Sequence, residues 1–153
     1  MKRTGSKPPA DRAAALSETV ELLHRIFQAV DLFSKKVLRD FGVSGPQVWA
    51  LRTIASSKVV SMGVLAQRMH LHMSTVTGII DRLEAGNLVL RERSRRDARI
   101  MELRVTPKGR AILAKAPEPP RSKAARRLGR LPPGELRRVQ AALHVLARAM
   151  DVF

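Results

Sequence analysis

Apolar residues recur at helical spacing along nearly the whole chain, and the period switches to two in one place only. From Ala13 to Phe41, Leu16, Val20, Leu23, Phe27 and Val30 form a stripe that Val37 continues. Leu22, Ile26 and Phe33 widen it, so this helix needs more than one packing partner. Gly42 is placed to stop it. Ser44-Gly45-Pro46-Gln47 has the spacing of a capping box, and Val48, Leu51, Ile54 and Ala55 form the inner face of the helix it opens, with Trp49 beside them. Ser61 starts a short helix carrying Val64, Leu65 and Met69. A further helix runs from Met73 to Ala85 with Val76, Ile79, Ile80 and Leu83 inward and Gly86 as its stop. Then Leu88 and Leu90 alternate with Val89 and Arg91, and Met101, Leu103 and Val105 alternate with Glu102 and Arg104. This is a β-hairpin with a charged tip, Ser94 to Ala98. Thr106-Pro107 opens another helix, carrying Ile112 and Leu113. Pro117, Pro119 and Pro120 must kink or break it before the helical pattern resumes at Arg121. The last helix starts at Pro132-Pro133-Gly134-Glu135 and carries Leu136, Val139, Leu143, Leu146 and Met150 in a second heptad-like stripe.

The pattern implies a mainly α (α+β) fold: a winged helix-turn-helix with a two-stranded β wing and long N- and C-terminal helices. The expected organisation is a disordered basic arm over 1–12, a long helix over 13–43 that needs a packing partner, a winged helix-turn-helix lobe over 44–105, and C-terminal helices over 106–153 whose stripe needs a partner as well. All belong to a single intertwined domain.

Charge narrows the partners. With 29 Lys and Arg against 13 Asp and Glu, the formal net charge is +16 over 153 residues. A folded chain this basic meets a polyanion. Half of the excess, +8, lies in residues 104–130, whereas residues 44–90 carry only +2. The series from Lys108 to Arg130 reads either as a solvated helix face or as an extension of a phosphate-binding surface. Cysteine is absent, which excludes disulfides, thiolate metal sites, cysteine nucleophiles and thiol redox sensing. No apolar run reaches the length of a membrane span, and the basic start has no apolar segment behind it, so a cytoplasmic protein is expected. His70 and His72 lie two apart but have no nearby carboxylate or thiolate partner, so no metal is expected. No cofactor is implied, and no acid–base or nucleophile constellation has motif spacing, so the chain does not read as an enzyme.

Small Ala66, which lets two helices approach, and Leu71, which plugs a turn, give residues 64–86 helix-turn-helix spacing. The second helix reads Ser74-Thr75-Val76-Thr77, then Asp81-Arg82-Leu83-Glu84, then Gly86. The hairpin reads Asp97-Ala98-Arg99, then Leu103-Arg104-Val105-Thr106, then Gly109-Arg110. Over roughly residues 13–150 the chain resembles the MarR family of bacterial and archaeal transcriptional regulators. It departs from the family's pattern at His72, where a capping Ser is frequent, and at Gly78, where a larger side chain is frequent.

The resemblance implies a homodimer that binds a pseudo-palindromic duplex and regulates transcription, most often as a repressor. Ser74, Thr75 and Thr77, short polar residues at a helix start, are read as contacts to bases or phosphates, and Arg82 as a phosphate contact. Arg95, Arg96 and Arg99 belong to the wing beside the minor groove, with Arg99 the one that inserts. Asp97 either braces the wing or acts directly. Many members bind small phenolic or anionic effectors, for which His24, Gln28, Trp49 and Arg52 are the candidate pocket. The rival reading is an architectural basic DNA-binding protein with little sequence preference and no effector.

Overall fold

The computed structural model describes residues 10–57, 60–94 and 100–152. Seven helices and three strands form among them: α1 (Ala10–Phe41), α2 (Gly45–Ala55), β1 (Val60–Ser61), α3 (Met62–Met69), α4 (Met73–Ala85), β2 (Val89–Arg93), β3 (Met101–Val105), α5 (Pro107–Lys115), α6 (Pro120–Leu128) and α7 (Pro133–Ala149). They fall into two compact units, one extending to Pro117 and one starting at Glu118.

In the first unit only the C-terminal third of α1 reaches the core. Val37 is fully buried, and Phe33 and Phe41 pack beside it. The helix starts at Ala10, inside the stretch expected to be a disordered arm. It ends at Gly42, whose φ of +67° is a conformation that glycine adopts without penalty. The capping box at α2 forms: the Ser44 N–H donates to Gln47 Oε1 at 2.7 Å and the Gln47 N–H to Ser44 Oγ at 3.4 Å. Val48, Leu51 and Ile54 face inward as their spacing requires, but Ala55 is exposed at the helix end. On α3, Leu65, Ala66 and Met69 are buried, whereas Val64 turns outward.

The α3–α4 turn is built by His70, in the left-handed region at φ 51°, and by the Leu71 N–H, which reaches back to Ala66 O at 3.1 Å. Leu71 packs against the core. Val76, Ile79, Ile80 and Leu83 place α4 on the same core. The left-handed stop after α4 falls on Asn87 (φ 56°), not on Gly86, whose φ is −79°. The Leu88 N–H donates to Leu83 O and the Asn87 N–H to Glu84 O, both at 2.8 Å. This is a Schellman closure with Asn in the position glycine usually holds.

The sheet has three strands in the order β1-β3-β2, not the two of the expected hairpin, because β1 adds to the free edge of β3 through Val60 opposite Leu103 and Ser61 opposite Glu102. A two-residue strand has no periodicity to detect. In the β2–β3 ladder Val89 faces Val105 and Arg91 faces Leu103. The inward residue of β2 is therefore Val89; Leu90 points away and is 46% exposed, and Met101, beyond the core end of the hairpin, is 37% exposed. On the other face of the ladder exposed Glu92 stands opposite buried Glu102, a like-charge pair that Arg104 bridges at 2.9 and 3.6 Å.

Residues 106–117 are tied to this unit by several bonds. Thr106 Oγ1 donates to Asn87 O at 2.8 Å and accepts the Gly109 N–H at 3.0 Å, so one hydroxyl caps α5 and holds it to the turn after α4. Gly109 is dictated by close approach: a Cβ there would lie 2.3 Å from Leu88 O and 2.7 Å from Val105 Cγ1. Arg52 Nη2 donates to Ala116 O at 2.9 Å and Pro117 O at 3.3 Å, covering carbonyls that the end of α5 leaves open.

In the second unit, α6 starts at Pro120 and α7 at Pro133, and neither helix contains a buried residue. The proline cluster breaks the helix outright between Lys115 and Pro120.

Candidate nucleic-acid interface

With Val76, Ile79, Ile80 and Leu83 committed to the core, the 3.6-residue turn leaves Ser74, Thr75, Gly78 and Arg82 on the outer side of α4. Ser74, Thr75 and Arg82 are exposed, and Thr77 is half-buried at the margin. Thr77 Oγ1 donates to Met73 O at 2.9 Å, so its hydrogen is spent and its lone pairs remain as acceptors. Among the described residues nothing lies within 4 Å of where a Gly78 Cβ would be, so they leave the middle of this face open to a close approach. His72 occupies the N-cap without a side-chain capping bond. The first N–H groups of α4 are therefore left to solvent or to an anion, the polarity a phosphate prefers.

A charged brace sets the angle between this helix and the wing. Arg91 on β2 pairs with Asp81 on α4 and, at 3.5 Å, with Glu84 one turn further on. The Arg91 Nε is buried and has no hydrogen-bond partner among the described residues. Residue-by-residue reading of the sequence misses Arg91 as a functional residue. Its signal is present there, in two carboxylates at i and i+3 on one helix and an arginine on the strand that follows. The Asp81-Arg82-Leu83-Glu84 run thus divides its labour: Leu83 enters the core, Asp81 and Glu84 hold the wing strand, and Arg82 is left for the exterior.

The wing base closes with the Ser94 N–H on Ile100 O at 2.9 Å. Arg95, Arg96, Asp97 and Arg99 lie outside the described residues. The four pocket candidates are not equivalent. His24 and Gln28 sit one turn apart on the exposed part of α1. Trp49 on α2 is half-buried against the core, and Arg52, one turn later, is bonded to the Ala116 and Pro117 carbonyls.

Two helices joined by a tight turn, the second presenting a polar face, with a β-hairpin braced to it, define a winged helix-turn-helix protein. The MarR family model matches residues 41–100, the segment from the end of α1 to the residue before β3. A relative of Bacillus subtilis (strain 168), the uncharacterized HTH-type transcriptional regulator YfiV, is 29% identical over 109 residues, 71% of this chain and 68% of its own. The crystal structure of the transcriptional regulator BldR from Sulfolobus solfataricus matches with a TM-score of 0.60 and 27% identity, over 93% of this chain and 99% of that one. A structure of Bordetella bronchiseptica BpsR matches with a TM-score of 0.58 and 24% identity, over 86% of this chain and 91% of that one; it concerns the regulation of that protein's DNA binding by 6-hydroxynicotinic acid. In the matched segment and in its fold the chain is similar to DNA-binding transcriptional regulators of the MarR family. No helix among the described residues is long and apolar enough to cross a membrane.

Proposed function

We propose that this regulator acts as a homodimeric repressor that reads a pseudo-palindromic operator and is released from it by a small effector. The observation that carries the reading is the outer face of α4, where Ser74, Thr75, Gly78 and Arg82 stand clear of the core while Asp81 and Glu84 tie the same helix to the wing strand. A short polar face on a rigid helix suits base edges, and the brace carries wing and helix onto the duplex together. Ser74, Thr75 and Thr77 are assigned to the major groove and Arg82 to phosphate. Arg95, Arg96 and Arg99 are assigned to the wing contact, and Asp97 to its support.

The dimer is supported by the apolar residues that α1 and α7 leave exposed, among them Leu16, Val20, Phe27, Val30, Leu136 and Leu143. Monomers rarely expose so much apolar side chain in contiguous patches. Release by a phenolic or anionic effector at His24, Gln28, Trp49 and Arg52 is supported by BpsR, whose DNA binding responds to a small aromatic acid. Repression is the direction of control that the family resemblance favours.

Footprinting on the DNA upstream of its own gene, with competition by random duplex across a salt series, tests this reading. A protected two-fold site bound about 10³-fold or more above random duplex is expected. Equal affinity for both duplexes at every salt concentration would instead establish the architectural alternative. A panel of small acids and phenols that moves neither melting temperature nor operator affinity would remove the effector.

A further inference from the structure

The operator reading leaves the second unit's charge unused. From residue 118 onward the chain has eight basic residues and three acidic ones. Five of those cations, Arg121, Lys123, Arg126, Arg127 and Arg130, fall on α6 and the residues just after it, and all five are exposed. At 3.6 residues per turn, Lys123, Arg126 and Arg127 lie within an arc of about 100° on α6, and Arg130 follows in the turn just beyond its end. Leu128, on roughly the opposite side, is half-buried. Glu118 neutralises one member of the arc through a two-point bridge to Arg126, at 2.9 and 3.3 Å, and raises the pKa of that guanidinium. Lys123, Arg127 and Arg130 form no ion pair among the described residues. Three like charges, two on an exposed face of α6 and one in the turn that follows it, thus stand with no counter-ion from those residues, an arrangement that raises the free energy of the isolated molecule and is relieved by a polyanion.

We propose that this face of α6 and the turn after it, centred on Lys123, Arg127 and Arg130, form a second phosphate-binding surface for duplex DNA, separate from the residues that read bases. Lys123 to Arg127 spans about 6 Å of helix axis and Arg130 stands just past the helix end, so the cations follow one another at intervals that neighbouring phosphates of a duplex can meet. The partner is a regular, repeating anion, because the face has cations at close intervals and no aromatic or apolar side chain among them to shape a pocket for a single small ligand. The inference rests on the reading of this chain as a DNA-binding regulator, and it assigns the face to general affinity instead of sequence choice.

The test uses the full chain and a random-sequence duplex, so it needs no operator. The triple variant Lys123→Gln, Arg127→Gln, Arg130→Gln is compared with wild type and with a control in which Arg137, Arg138 and Arg148 of α7 are changed to Gln. Circular dichroism and melting curves verify that all three fold. Removing one cation from a phosphate flattens the plot of log affinity against log salt by about 0.9. The slope for the α6 variant should therefore fall by between about two and three units per protomer, and that for the α7 control by less than one. An unchanged slope in the α6 variant overturns the proposal. So does an equal fall in the control, which would reduce the effect to bulk charge. Binding of wild type to phosphatidylglycerol vesicles that is abolished in the α6 variant, with its DNA slope intact, also overturns it and gives the face to a membrane surface. Failure of the regulator reading is seen separately, in a wild-type protein without preference for any footprinted site.

Discussion

Helices α4 and α7 have similar apolar patterns and opposite fates. On α4, Val76, Ile79, Ile80 and Leu83 are all in the core, Ile80 with no exposed surface. On α7, Leu136, Val139, Leu143, Leu146 and Met150 repeat as regularly, yet no residue of that helix is buried, and Leu143 is 52% exposed. α1 shows the same division within one helix, with Val37 at 0% exposure near its end and Leu16 at 64% near its start. Periodicity states that a helix has an apolar face; it does not say whether the partner belongs to the same chain. The winged-helix unit closes its core within itself, whereas α1 and α7 leave apolar faces open, which the proposed dimer would cover with a second copy.

The sharpest way to break this comparison is to truncate both kinds of residue. Ile80→Ala should cost about 3 kcal/mol in denaturant unfolding, because a fully buried side chain leaves a cavity. Leu143→Glu should leave the far-UV spectrum of the fold intact while shifting sedimentation from dimer to monomer. If instead Leu143→Glu unfolds a dilute, monomeric protein as Ile80→Ala does, the two helices are not different in kind. A smaller loss, about 1 to 2 kcal/mol, is expected for Thr106→Ala, which removes an N-cap and leaves Asn87 O without its donor. A melting temperature equal to wild type would deny Thr106 its role as the fastener of α5. The smallest effect is a gain. Gly78→Ala meets nothing within 4 Å among the described residues and should stabilise α4 by about 1 kcal/mol. A concurrent drop in operator affinity would show that DNA uses the space which Gly78 leaves open.

Several motif residues are legible in the sequence as important without being legible in role. Thr106 and Gly109 stand out there, but their reason appears only when α5 is laid against the turn after α4, where a hydroxyl serves two backbone groups and a Cβ has no room. Arg52 reads as a polar pocket residue, and the structure gives it a further role that no spacing reveals, donating to the carbonyls of Ala116 and Pro117, sixty-four and sixty-five positions away. Arg91 does not stand out at all, since its partners lie across an element boundary on α4. The strand β1 escapes for a different reason: two residues are paired by the edge they meet, not by any pattern of their own. The same applies to β2, where Leu90 is as good an inward candidate as Val89 until the register with Val105 chooses between them.

The net charge of +16, the absence of cysteine and the change of period after Gly86 are properties of the chain itself, and together they determine a helical, basic protein with one hairpin. Capping boxes, proline breaks and the α4 core face follow from neighbours within four residues, where local geometry is decisive. Interactions over longer separations decided the rest: which side of the hairpin faces inward, which arginines are bound to carbonyls or carboxylates, and which cations on α6 stand without an ion-pair partner among the described residues. Those outcomes depend on which element packs against which, and a linear pattern names faces without naming what covers them.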